Sequence, residues 1–198
     1  MNVVGLDLSL TGTGCTRFNV IDGTVRSGNL ATLPKDGSRV DRALLIAQRI
    51  MRRTTPEDLF LLEDYAYQMG PQTSRLVDLA ELGGIVKLFI KRRTGFEPME
   101  ISSSSVKAWF RNGNMKKEMI PVEAYKKLGE EYKTHDEYVS AGLADMGWHI
   151  LELAPRRGEV FKYEEKIMRK IIEKYPGHVS YFRETAGEAG KELDDGED

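Results

Sequence analysis

The stretch N-V-V-G-L-D-L-S, residues 2–9, limits the fold more than any other part of the chain. Val3, Val4, Leu6 and Leu8 form a nearly continuous apolar run, the pattern of a strand covered on both faces of a sheet. Asp7 interrupts that run. A buried carboxylate without a partner costs several kcal/mol or takes up a proton. A divalent cation is one arrangement that keeps it charged. An aspartate at the strand's end that caps the turn through Ser9, Thr11 and Gly12 is the other. The rest of the chain has to separate the two.

The 198 residues suffice for one core and a short appendage. No apolar run reaches the roughly 18 residues of a membrane span, and no signal-peptide pattern precedes Val3. A membrane protein is not expected. Cys15 is the single cysteine, which excludes an internal disulfide and leaves no cysteine metal motif. The expected setting is a reducing cytoplasm. The net charge of −2 hides an asymmetry, because residues 187–198 hold six acids against one base. Between Ile85 and Lys133, eleven Lys or Arg face six Glu. A basic body with an acidic tail fits a nucleic-acid binder, and solvated helix faces account for many of the same charges.

In chain order, T-G-T-G (11–14) reads as a turn and 15–21 as a second strand. Asp22-Gly23 signals a hairpin, with 25–32 returning as a third strand. Residues 39–53 repeat apolar positions Val40, Ala43, Leu44, Ala47 and Ile50 at helical spacing. A second buried strand, 58–64, also ends in acids. A long helix follows over 72–93. Its Gly83-Gly84 pair suggests close approach of the sheet or of a second subunit. A fifth strand at 97–101, a helix capped by Ser102–Ser105, a basic loop, a helix over 121–128 and a last core helix over 136–151 complete the pattern. Trp109 and Trp148 read as core residues. The sum is an α/β fold with a mixed five-stranded sheet. The right-handed crossover rule lets strand four lie parallel to strand one, and if the two are neighbours Asp7 comes beside Glu63.

Residues 1–154 are thus expected to form one domain. Residues 155–180 would be an amphipathic helical extension with Val160, Tyr163, Ile167, Ile171 and Tyr175 on one stripe. Residues 181–198 would be an acidic, disordered tail.

Asp7, Glu63 and Asp136 are acids on three otherwise apolar elements. Converging carboxylates of this kind can hold two metal ions about 4 Å apart, which activate a water and stabilise the leaving oxygen of a phosphodiester. At these residues the sequence resembles the RuvC family of Holliday-junction resolvases, RNase H-like in fold, over residues 2–150. V-V-G-L-D-L-S-L-T-G-T-G is similar to the family's first strand, with Asp7 as metal ligand. L-L-E-D-Y-A-Y-Q-M is similar to its second motif, with Glu63 as ligand. S-S-V-K-A-W-F and N-M-K-K-E resemble its basic stretch, where Lys107 and Lys116 or Lys117 match positions that meet DNA phosphates. H-D-E-Y-V-S-A-G-L-A is similar to the last-helix motif, and Asp136 is its first acid.

The resemblance implies a Mg2+- or Mn2+-dependent crossover junction endodeoxyribonuclease. It would act as a homodimer on four-way junctions, with flaps or forks as alternative substrates. The cell would be a bacterium or a phage-infected host. One position departs from the family: Val139 stands where a second acid is usual. Three carboxylates are then expected to hold one ion firmly and the second weakly. His135 is a candidate further ligand or a solvent-facing helix-start residue. Tyr65 and Tyr67 are candidates for stacking on opened bases or for core packing. Two other readings stand beside the nuclease. One is a non-cleaving junction binder with a degraded metal site. The other is an ATPase of the actin and sugar-kinase type, for which 198 residues leave little room.

Overall fold

The computed structural model describes residues 1–64, 73–151 and 161–194. Strands β1 (Asn2–Asp7), β2 (Thr13–Asn19) and β3 (Val25–Leu30) form an antiparallel meander. The second hairpin turns at Asp22-Gly23. There Gly23 adopts φ +66°, and Thr24 N–H donates to Asp22 Oδ1 at 2.8 Å. Helix α1 (Arg39–Met51) leads to β4 (Leu59–Asp64), which lies parallel to β1 and beside it. Helix α2 (Thr73–Thr94) leads to β5 (Met99–Ser102), parallel to β4. The strand order is β3-β2-β1-β4-β5. Helices α3 (Ser103–Phe110), α4 (Ile120–Leu128), α5 (His135–Ile150), α6 (Lys162–Lys174) and α7 (Pro176–Asp194) follow.

Both faces of the sheet are covered, which is why β1 and β4 read as unbroken apolar runs. Val4, Leu6, Phe60 and Leu62 pack with Ile46, Ala47 and Ile50 of α1 and with Leu82, Val86 and Ile90 of α2. Val3, Leu59, Leu61 and Met99 pack on the opposite face with α5, Trp109 and Ile120. Side chains alternate along a strand, so Asp7 follows Val3 and Gly5 onto the α5 face. Glu63 follows Leu59 and Leu61 onto that same face. Asp64 falls on the other.

Helix α5 lies so close to the sheet that only glycines fit beneath it. A Cβ at Gly5 would overlap Ser140 O, and one at Gly14 would overlap Asp136 O. The T-G-T-G stretch is therefore only half a turn: the turn closes by Gly12 and β2 begins at Thr13. Gly14 serves helix packing.

The C-terminal region corrects the sequence reading. Helix α7 continues to Asp194, so residues 181–194 are helical where a disordered tail was expected. Phe182 is 1% exposed and Val179 3%, both within the main core. Phe182 packs on Phe96 with ring centroids 5.4 Å apart. Along helix α6, Ile167, Ile171 and Tyr175 of the expected stripe pack on the core, but Tyr163 faces solvent and Glu164 faces inward in its place. Val160 lies outside the described residues. The buried carboxylate of Glu164 is paired with Lys127 of α4, and that pairing lets an acid replace the expected tyrosine. In α1, Val40 of the expected apolar set is exposed, and Ile46 joins Ala43, Ala47 and Ile50 in the core. Trp109 and Trp148 are buried as expected. No described helix is long and apolar enough to cross a membrane.

Candidate metal centre

The ends of β1 and β4 and the start of α5 meet at one edge of the sheet. Leu6 pairs with Leu62, so the next residues on the two strands, Asp7 and Glu63, end side by side. Asp136 enters from the first turn of α5. Its neighbourhood is fixed by Thr134, whose Oγ1 accepts from Glu137 N–H at 3.2 Å as the helix cap. Lower down the helix, Ser140 Oγ and Thr16 Oγ1 share a buried hydrogen bond of 2.8 Å, which ties α5 to β2. The loop after β1 is braced by Thr13, whose Oγ1 donates to Ser9 O at 2.8 Å and accepts from Ser9 N–H at 3.1 Å.

Asp7, Glu63 and Asp136 line one cleft of about 680 Å³, together with Asp64, Asp78, Ser103, Lys107, Lys117, His135 and Val139. Burial is the first reason that the Asp7 carboxyl is pushed well above its ordinary value. The negative charges of Glu63 and Asp136 add to it, and Lys117 opposes them. Carboxylates that perturb one another in a cleft in this way cluster at functional sites.

Asp7, His135 and Asp136 each offer a ligand atom, and the three atoms lie within 4.8 Å of one another. Both ring nitrogens of His135 are buried and lack a hydrogen-bond partner among the described residues. Nδ1 stands 3.7 Å from Asp136 Oδ1. A buried imidazole with two idle nitrogens beside two carboxylates fits a metal ion well. The oxygen-rich remainder of the set suits a hard divalent cation.

The structure brings together Asp7, Glu63, Asp136 and His135, with Lys107 and Lys117 in the same cleft. Lys116 is exposed and does not line it. Tyr65 and Tyr67 lie outside the described residues. Val139 shares the cleft-facing side of α5 and is 2% exposed, in the same apolar cluster as Val106 and Ile120. Asp145 lies on the far side of α5, where it accepts from Trp109 Nε1–H at 2.9 Å. In the sequence Asp64 reads only as one of the acids that end its strand, and Asp78 is not singled out. Asp64 carried a signal, since it follows Glu63 directly. Asp78 sits mid-helix and is brought to the cleft by α2, where it pairs with Arg39 at 2.7 Å.

A mixed five-stranded sheet of order β3-β2-β1-β4-β5 with helices on both faces is the RNase H-like fold as RuvC structures have it. The solved structures bear this out. Thermus thermophilus RuvC in complex with a Holliday-junction substrate superposes with a TM-score of 0.57 at 18% identity, covering 73% of this chain and 90% of that one. The Thermus thermophilus RuvC structure alone gives 0.56 at 18% identity, covering 78% and 99%. No family model and no curated protein matches the chain.

Proposed function

We propose that this chain is a RuvC-type endonuclease that cleaves phosphodiester bonds in branched DNA, with divalent metal held by Asp7, Glu63, Asp136 and His135. The observation that carries the reading is the convergence of those four side chains in a cleft whose rim bears Lys107 and Lys117. Mg2+ or Mn2+ bound there would polarise the scissile phosphate and lower the pKa of an attacking water. The chain's own groups do the rest. Asp7 and Glu63 sit at the ends of two paired strands, so their spacing is set by the sheet and not by loops. Lys107 and Lys117 present ammonium groups to phosphates that enter the cleft. Lys117 also moderates the negative field around Asp7.

The reading extends to a homodimer working in the cytoplasm of a bacterium or phage-infected cell. Val77, Ala80, Gly84 and Leu88 share one outward face of α2, all exposed. Gly84 faces open space, so nothing within the chain accounts for the glycine that close approach would need. That face is the seat for the second copy.

A second reading is a junction binder without cleavage. It is favoured by Val139, whose apolar packing fills the place of an acid. Incubation with a labelled four-way junction, a flap and a linear duplex, with and without magnesium, separates the two. The endonuclease nicks the junction only when metal is present. A protein that binds the junction tightly and never nicks it in magnesium or manganese supports the second reading.

A further inference from the structure

We propose that α6 is a second, non-catalytic DNA-contact surface, whose outward lysines grip the backbone of a duplex arm beyond the carboxylate cleft. The proposal rests on the branched-DNA reading above. Lys162, Lys166 and Lys170 recur every four residues and, with Arg169, occupy the solvent face of the helix. All four are exposed, and among the described residues none of them has an ion pair. The helix carries three acids, Glu164, Glu165 and Glu173. One of the three, Glu164, is buried and already neutralised by Lys127. Glu165 and Glu173 alone remain to offset the outer cations.

The helix is pinned at both ends. At its start, Phe161 N–H donates to Glu164 Oε2 at 2.9 Å, and Lys127 joins Glu164 while lying 4.4 Å over the Trp109 ring. At its end, Glu100 N–H donates to Tyr175 OH at 2.9 Å, and Lys174 Nζ donates to Glu100 O at 3.4 Å. Ile171 is buried between them. Cations presented from a rigid support lose less entropy on binding than cations on a loose tail.

Position favours DNA. Glu100 belongs to β5, whose ladder with β4 ends at Asp64 and Ser102, and Asp64 lines the cleft. The C-terminal end of the cation row therefore lies near the cleft, and the row leads away from it. From Lys162 to Lys174 it spans roughly 18 Å at 1.5 Å per residue. That length matches about five base pairs of duplex at ~3.4 Å each. An anionic membrane is a poor fit, because surface-bound helices insert their apolar face and here that face is buried in the core.

The test replaces Lys162, Lys166 and Lys170 together with Gln, and in a second protein with Arg, using the full chain. Binding to a four-way junction is measured in EDTA over a range of salt, with melting temperature as the folding check. The proposal expects the log–log salt slope of the Gln variant to flatten by about 0.9 for each phosphate that is no longer neutralised, about 2.7 for all three. The Arg variant keeps the wild-type slope, since charge alone carries the interaction. A Gln variant that melts like wild type and binds with an unchanged slope overturns the proposal while leaving the endonuclease reading in place. Wild-type protein that binds no branched DNA overturns both. Wild-type binding to vesicles of anionic lipid that disappears in the Gln variant, with DNA binding untouched, assigns the face to a membrane and also overturns it.

Discussion

Gly14 lies directly beneath the backbone carbonyl of Asp136, with no room for a methyl group between them. Gly14 is also the ladder partner of Asp7. One glycine thus sets how closely the start of α5 approaches β1, and with it the spacing of two candidate metal ligands. Gly14→Ala is expected to push the first turn of α5 outward, at a cost of about 1–3 kcal/mol from overpacking. Nicking should fall by more than the melting temperature alone explains. Gly28→Ala is the control, since a Cβ there meets nothing within 4 Å. Equal melting temperatures and nicking rates for the two variants would show that the contact does not position Asp136.

Cys15 tests the burial of β2. Its thiol is pushed up to about 11, first by burial, with Arg17 and Arg53 opposing. The native protein should therefore react slowly with iodoacetamide at pH 8 and rapidly once unfolded. The sign of the linked stability effect is also fixed. Between the ordinary value of 9.0 and about 11 the folded thiol keeps a proton that the unfolded one has lost. The contribution of Cys15 is complete below pH 9 and declines as pH rises to about 11. Cys15→Ala should remove that part of the slope in melting experiments at alkaline pH.

Val139 separates the two readings of the cleft. A Val139→Asp side chain enters an apolar cluster yet lines the cleft near Asp136. Without metal the variant should melt below wild type, because an unpaired carboxylate replaces a packed side chain. With magnesium it should recover more than wild type does, through binding linkage, and nick at lower magnesium concentration. A loss of stability that magnesium does not restore would show that position 139 belongs to the core alone.

Phe182 measures how far the C-terminal helices belong to the core. Phe182→Ala is expected to destabilise the protein by about 3–5 kcal/mol, the usual range for a buried phenylalanine. Denaturant unfolding followed by circular dichroism gives the value. A change below about 1 kcal/mol would show that α7 is dispensable, as an appended tail would be.

The comparison of Phe182 with Asp7 shows which parts of the fold were legible in the sequence. Asp7 sits in a β-strand whose apolar run announces two covered faces, and a helix between two such strands allows a parallel crossover. Glu63 and Asp136 were found because an acid in an apolar element is conspicuous. Phe182 lies instead among Tyr, Arg, Glu and Thr, where local composition is polar and partners distant in sequence, Phe96 among them, bring about its burial. Glu164 misled for a related reason: its inward position depends on Lys127, 37 residues away. His135 was open to two readings, because burial of both its nitrogens is set by elements that meet only in the folded chain. Val139 was placed correctly on the Asp136 side of its helix by the 3.6-residue period alone.

The most direct test of the account compares wild type with Asp7→Asn and Glu63→Gln on a 5′-labelled four-way junction in magnesium. Each substitution removes a charge from the cleft with little change of shape. The account predicts that wild type nicks the junction, and that both variants bind it with undiminished affinity without nicking. It also predicts that Asp7→Asn melts higher than wild type in EDTA, because the repulsion around that carboxyl is relieved. Full-rate nicking by either variant would contradict the assignment of the metal centre.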